Sequence, residues 1–292
     1  MSSDNIALEA AKSAAESAGK ESVSKIADVI GAIFPFFGTT HEAVKIYIEE
    51  IKNSNMSPEA KLITIANTKK TYRELINQSK IMKIAEESAK EGTDFSKSST
   101  VDNDWLARFM DSAKFVSNDM MQLVWGRILA GEFELPGSTP PQIIRVLSEI
   151  TLNYAQIFNS LCNFISTMKY QIKNNFEEEK VIIIDIEDKY FNSLSINFKT
   201  LCELQNYGLI EFDNPVGFVK IIPKEELPKF DLIYGDKIIT VVDFPEKAFP
   251  IGHVLLTDAG QCIAKIIEKD VIEGYFDTLV NYLEKKGVVI SP

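Results

Sequence analysis

Residues 101–141 read VDNDWLARFMDSAKFVSNDMMQLVWGRILAGEFELPGSTPP, and this stretch decides the fold of the chain. Its apolar residues recur at spacings of three and four, which is the pattern of helices that bury one face. The stretch also contains Trp105 and Trp125, the two tryptophans of the chain. It therefore predicts three short helices that form a compact helical core.

The boundaries of these helices are indicated by residues that cap or stop a helix. Asp102, Ser117 and Thr139 precede the three apolar runs, and their side-chain oxygens can accept bonds from free N–H groups. Gly131 is predicted to end the second helix, and Pro136-Gly137 to turn the chain towards the third.

These residues resemble the signature of an uncharacterised bacterial family of helical proteins, sometimes found near phage-defence genes. The shared pattern consists of a DWLxRF-like run at Asp104–Phe109, MQxxWGRILAGE at Met121–Glu132 and a PGS turn at Pro136–Ser138. The resemblance covers roughly residues 100–270. It implies a helical fold and a role in phage defence, but the family has no established activity to transfer.

Arginines are concentrated in and beside this stretch. Three of the four in the chain are Arg108, Arg127 and Arg145, and Asp104 lies four residues before Arg108, in reach for an ion pair on a helix. Internal salt bridges are one interpretation, and an anion-binding site is the other. The candidate binding residues are Arg108, Arg127, Trp105, Trp125 and Glu132.

Composition restricts the classes of function. The 292 residues carry a formal net charge of −11, which argues against non-specific binding to nucleic acids or anionic membranes. Cys162, Cys202 and Cys262 are far apart and form no CxxC pair, so neither a disulfide framework nor a zinc site is indicated. No nucleotide-binding or hydrolase motif is present, and no catalytic residue, metal or cofactor is predicted. With no signal-peptide pattern at the start, we expect a cytoplasmic protein.

The chain is predicted to be α+β and mostly α, in three parts. Residues 1–95 form an N-terminal helical region with a long helix of about 33 residues that opens at Ser57. A polar linker, Glu91–Thr100, leads to the helical core at 101–175, and residues 176–292 form a winged-helix-like α+β part.

The N-terminal region predicts self-association. A lone amphipathic helix of that length cannot bury its apolar stripe against itself, so we expect a dimer or higher oligomer through residues 26–90. The apolar segment Ile26–Phe37 is a buried helix in one interpretation. In the other it makes peripheral contact with a membrane surface.

The C-terminal part combines helices with β-branched runs. Tyr154–Met168 is predicted to continue one helix to about Asn174. A helix stopped by Gly208, a hairpin and an LTDAG helix start then follow in the order of a winged helix. Residues 195–270 carry eight lysines, no arginine and twelve acidic residues, a poor footprint for phosphate. A protein-interaction or structural module is therefore favoured over a nucleic-acid binder.

A short acidic motif supports one further alternative. Glu187-Asp188-Lys189 follows the predicted strand Val181–Asp185 and matches half of a metal-dependent nuclease site, although no second acidic strand lies upstream. Our prediction is therefore a non-enzymatic interaction protein, a sensor or adaptor. A divergent nuclease or other hydrolase and a winged-helix nucleic-acid binder are the alternatives.

Overall fold

The structure is a computed structural model that describes residues 41–89, 100–172, 175–213, 216–222, 229–245 and 248–291. The predicted apolar segment Ile26–Phe37 and most of the predicted linker lie outside these residues. The chain forms two compact units, Met1–Ile144 and Arg145–Pro292. The division into parts at 1–95, 101–175 and 176–292 stays a prediction.

The described part of the first unit is entirely helical, and its last helix continues into the second unit. Its helices are α1 (His41–Asn53), α2 (Pro58–Ser88), α3 (Asn103–Ala113), α4 (Asp119–Glu134) and α5 (Gln142–Glu149).

Helix α2 confirms the predicted long helix. It has 31 residues and is about 46 Å long at 1.5 Å per residue. Ser57 caps it, since the Ser57 hydroxyl accepts a bond from the backbone N–H of Ala60 at 3.2 Å. The Pro58 that follows takes the first helical position, where a missing N–H costs nothing.

Helix α4 differs from its prediction at both ends. Asn118, not Ser117, is its cap, and the helix does not stop at Gly131 but continues to Glu134. Phe133 is fully buried, so the last turn is held by packing that outweighs the low helix propensity of glycine. The third helix also begins later than predicted, because α5 starts at Gln142 and not directly after Thr139.

Helices α2 and α4 approach closely at Gly126. A Cβ on Gly126 would lie 2.4 Å from Cγ2 of Ile84 and 3.0 Å from the backbone oxygen of Ile81. Ile81 is fully buried at this crossing. Glycine is therefore required for the two helix backbones to reach this separation.

Buried amides join α2 to the end of α3. Asn77 and Gln78 donate to the backbone oxygens of Lys114 and Met110, each at 2.8 Å. Lys114 is the cap residue that ends α3, so Asn77 satisfies a carbonyl at the end of the helix, where intrahelical partners are lacking. The Met110 carbonyl also accepts the backbone N–H of Lys114 at 3.2 Å, and Gln78 gives it a second bond.

The described part of the second unit is α+β. Its helices are α6 (Leu152–Cys162), α7 (Lys189–Ser193), α8 (Phe198–Tyr207), α9 (Asp258–Ile266) and α10 (Tyr275–Lys285). Its strands are β1 (Ile165–Ile172), β2 (Asn175–Ile182), β3 (Ile210–Phe212), β4 (Val219–Ile221), β5 (Phe230–Tyr234), β6 (Lys237–Asp243), β7 (Ala248–Pro250), β8 (Val254–Leu256) and β9 (Val289–Ser291). The main sheet has the order β2-β1-β5-β6-β9, while β3 pairs with β8 and β4 with β7; every pair is antiparallel. The predicted α+β class with mostly helix is confirmed.

The predicted helix from Tyr154 to Met168 is wrong beyond Cys162. From Ile165 the chain is strand β1, whose Met168 is fully buried between β2 and β5. Over so short a run, the apolar residues fit the helical and the strand periodicity equally well. Pairing with β2 on one side and β5 on the other stabilises the strand.

The predicted order of helix, stop, strand, hairpin and helix is present. Gly208 ends α8 with a φ of 82°, and Gly235-Asp236 turns β5 into β6. The strands of this order divide between two sheets, because the β5–β6 hairpin belongs to the main sheet whereas β3 pairs with β8. The winged-helix comparison stays a prediction.

None of the described helices combines the length and the apolar composition that crossing a bilayer requires.

The crossing at Gly126 can be tested with two glycines of one helix. Gly126→Ala gains helix propensity but must push Ile84 and the α2 backbone away, so we expect it to lower the free energy of unfolding by about 1–3 kcal/mol. Gly131→Ala is the control, since its Cβ would meet nothing within 4 Å, and it should stabilise by up to about 1 kcal/mol. Urea unfolding measures both. Equal effects of the two substitutions would show that the close approach is not limiting.

Candidate functional site

Both tryptophans belong to a row of aromatic side chains in the first unit. The ring centroids of Trp105 and Phe109 are 4.9 Å apart and stacked, and those of Phe109 and Trp125 are 4.7 Å apart. All three side chains are buried. Rings at these separations stabilise one another beyond the area they bury, so the row anchors α3 against α4.

Neither indole N–H in this row is hydrogen-bonded within the described residues. The Nε1 atoms of Trp105 and Trp125 are buried, and no acceptor of the described residues lies within hydrogen-bond distance. A buried donor without a partner costs about 1–3 kcal/mol. Within the described residues, the two tryptophans thus contribute through the volume and shape of their rings and not through a hydrogen bond of the indole.

The two candidate arginines have different surroundings. Arg108 is exposed, and its Nη2 lies 4.0 Å from Oδ2 of Asp104, which is also exposed. This is the predicted i, i+4 pair, but at the surface such a pair contributes little to stability. Arg127 is half-buried within α4.

Glu132 holds the turn that follows α4. Its side chain is buried, with only 2% of the residue exposed. Oε1 accepts the backbone N–H of Gly137 at 2.6 Å, and Oε2 accepts that of Thr139 at 2.9 Å. The carboxylate therefore fixes the PGS turn, where Gly137 has a φ of 81°. The AGE and PGS parts of the signature serve one structural purpose.

The structure thus places four of the five candidate residues in the body of the first unit and one on its surface. Trp105 and Trp125 are core anchors, Glu132 is a turn clamp and Arg127 is half-buried. Their use as a binding site stays a prediction.

The anchoring role of the tryptophans can be measured. Trp105→Ala and Trp125→Ala each remove a ring from the row and should cost about 3–5 kcal/mol, with a lower melting temperature. Phe115→Ala is the control, because Phe115 is exposed and its loss should cost less than about 1 kcal/mol. An unchanged melting curve together with loss of a binding partner would make the tryptophans contact residues instead.

Polar side chains also meet in the second unit, around Asp185. Oδ1 of Asp185 accepts the backbone N–H of Glu187 at 3.1 Å, and Oδ2 lies 3.6 Å from Nζ of Lys285 on α10. Burial, and then the nearby Asp185 carboxylate, raise the pKa of Tyr282 to about 12. The phenol therefore stays protonated near neutral pH and is not a ready base.

His253 lies in the same part of the unit and is bound to the backbone. Its Nδ1 is 3.0 Å from the backbone oxygen of Ile184, which also accepts the backbone N–H of His253 at 3.0 Å. The preceding Gly252 has a φ of 79°, and a Cβ there would lie 2.5 Å from the nitrogen of Ile184. This arrangement joins two chain segments, and it makes His253 a buried residue whose ring is hydrogen-bonded to the backbone.

The acidic motif after β2 has structural contacts too. Asp188 is the cap of α7, with Oδ1 accepting the N–H of Tyr190 at 2.9 Å, and Glu187 and Lys189 are exposed. Across the described residues, no three His, Cys, Asp or Glu side chains form a group that could hold a metal ion.

A further surface, formed by none of the five candidate residues, lies on α1 and the first half of α2. These residues, 41–73, are here called the arm. Ile63 and Ile81 are eighteen residues apart on α2, about five turns, so they share one face of the helix. Ile81 is 0% exposed beneath α4, whereas Ile63 is 63% exposed and Leu62 beside it 71%. The face that α4 covers at one end of α2 is uncovered at the other. The amphipathic pattern of α2 is visible in the sequence, but the sequence does not indicate which half of the helix α4 covers.

Comparison with known proteins gives a family but no activity. A family model described as "Protein of unknown function (DUF2806)" matches residues 66–280. The match contains the aromatic row, the Glu132 clamp and most of the second unit, but only the end of the arm. No curated protein and no solved structure matches the chain.

Proposed function

We propose that this chain, which belongs to the DUF2806 family of proteins of unknown function, is a non-enzymatic interaction protein that binds a partner protein through its arm. A sensor or adaptor role, a cytoplasmic location and a place in bacterial phage defence are parts of this proposal. The last of these has its support only in the resemblance of the signature.

The uncovered face of the arm is the observation that carries the proposal. Isolated exposed apolar residues are ordinary on protein surfaces. Here Leu62 and Ile63 are adjacent, and Met56 in the α1–α2 turn is also exposed. Leu62 and Ile63 lie on a helix whose other half is fixed by buried amides and by the close approach at Gly126. A rigid helix with an uncovered apolar face is a usual means of recognising another helix or a groove.

The nuclease alternative has less support. It requires carboxylates that converge on a metal ion, with a lysine beside the attacking water. Asp188 caps a helix, and Asp185 is bound to the backbone of Glu187 and lies near Lys285. These carboxylates are used in local structure, so the motif is better explained as a turn and a helix start.

The alternative of a nucleic-acid binder is opposed by charge. A recognition helix gains affinity from arginine and lysine near phosphate. Helix α8, which would be that helix in a winged-helix order, carries Lys199 and Glu203 as its charged residues and exposes Phe198. Such a surface suits a protein partner better than DNA.

The arm can be tested by affinity capture from the source cells with the full chain as bait. Leu62→Glu with Ile63→Glu places two charges on the uncovered face, and we expect the captured proteins to be lost while the melting temperature is unchanged. Val216→Glu with Ile221→Glu is the matched control, since both residues are similarly exposed apolar positions in the second unit. Capture that survives the arm substitutions, or that the control also abolishes, would contradict the proposal.

The nuclease alternative has its own test. Purified protein incubated with DNA and RNA in Mg²⁺ or Mn²⁺ should leave both intact, and Glu187→Ala should behave as the unsubstituted protein does. Cleavage that Glu187→Ala abolishes would establish a metal-dependent activity and refute the non-enzymatic proposal.

A further inference from the structure

We propose that the arm pairs with the arm of a second copy of this chain in a two-fold symmetric dimer, with α1 of each copy on α2 of the other. This inference rests on the proposed function only in using the same surface. It names the occupant of the arm as a second copy of the chain.

One half of the proposed contact is an acidic stripe on α1. The stripe consists of residues spaced by three and four along the helix face that is turned away from α2: Glu42, Lys45, Ile46, Glu49, Glu50 and Asn53. All six residues are exposed on this side of α1. Three carboxylates and one lysine give the stripe a formal charge of −2 at neutral pH.

The other half is a basic stripe on α2, again with spacings of three and four. It consists of the exposed residues Glu59, Leu62, Ile63, Ala66, Lys69, Lys70 and Arg73. Two lysines, one arginine and one glutamate give it a formal charge of +2. Each stripe also has apolar side chains, Ile46 on α1 and Leu62 with Ile63 on α2, which an interface can bury.

The two stripes cannot meet within one chain. Helix α1 packs on α2 through other residues: Val44 and Ile51 are buried, and the rings of His41 and Tyr72 are stacked with centroids 5.6 Å apart. The opposite charge and matching helical spacing of the two stripes therefore suit a contact between two molecules. Because each copy carries both stripes, a two-fold axis makes both contacts at once.

Ion pairs inside α1 do not satisfy the acidic stripe. Glu42 lies 3.8 Å from Lys45, and Glu49 lies 2.5 Å from Lys52, with all four side chains more than half exposed. Pairs of this kind contribute little and exchange readily. The carboxylates remain able to bind cations of a second copy.

Charge reversal on the full chain tests the pairing. The first variant has Glu42→Lys, Glu49→Lys and Glu50→Lys, so that both of its stripes are basic. The second has Lys69→Glu, Lys70→Glu and Arg73→Glu, so that both are acidic. The control has Lys189→Glu, Lys199→Glu and Lys265→Glu, three exposed lysines of the second unit. Analytical ultracentrifugation gives the dimer dissociation constant, and circular dichroism shows whether each variant is folded.

We expect the unsubstituted protein and the control to be dimers, and each stripe variant alone to dissociate at least about 100-fold more readily. An equimolar mixture of the two variants should form a heterodimer, because both of its contacts again join opposite charges. An unsubstituted monomer, stripe variants that remain dimeric, or a mixture that stays monomeric would each overturn the pairing.

A second measurement needs no substitution and covers the case of a variant that fails to fold. Raising the salt from about 0.05 M to about 0.5 M shortens the range of electrostatic attraction and should weaken the dimer of the unsubstituted protein. A dissociation constant unchanged by salt would overturn the charge pairing. An unsubstituted monomer that still captures a different protein through Leu62 and Ile63 would refute the dimer and leave the proposed function standing.

Discussion

The described first unit depends on the approach of α2 to α4 at Gly126. Any side chain there would separate the helices, since its Cβ would meet Ile84 and the backbone oxygen of Ile81. With the helices in contact, Ile81, Met82 and Ala85 are buried on α2, and Leu129 and Phe133 on α4. The glycine between Trp125 and Arg127 is therefore the point at which the signature fixes the position of the long helix.

The other signature residues support this crossing from its two ends. At one end, the aromatic row joins α3 to α4, and the amides of Asn77 and Gln78 bind the carbonyls where α3 stops. At the other, Glu132 binds the two backbone N–H groups of the turn after α4. Arg108 of the signature is exposed. The signature residues Trp105, Phe109, Trp125, Gly126 and Glu132 have a structural explanation, in which each positions a neighbouring element. This explanation requires no ligand, which is consistent with a function located elsewhere, on the arm.

Local rules predicted the helices better than the strands. The capping bonds of Ser57, Asp102, Thr151 and Thr257 lie within a few residues of sequence, and helices begin after all four. Strand β1 was missed because its partners, β2 and β5, are fixed by pairing that extends to residue 233. The Glu132 clamp and the approach at Gly126 were missed for the same reason: a carboxylate or a glycine inside a helix looks the same whether or not another element comes near it. In the sequence, the close approach is indicated only by Gly126 between two large side chains. That glycine can be interpreted only once α2 is known to cross α4 there.

The unsatisfied indoles have a consequence for observing the molecule. Both tryptophans of the chain lie in the first unit, in an apolar row without a described hydrogen-bond acceptor, while the second unit has tyrosines such as Tyr234 and Tyr275. Light at the long-wavelength edge of the aromatic absorption band excites tryptophan almost alone, so the emission of this protein is a spectroscopic label for the first unit that requires no dye. Its change during unfolding follows the crossing of α2 and α4, while circular dichroism follows both units. Coincidence of the two signals would show that the units lose their structure in one cooperative step.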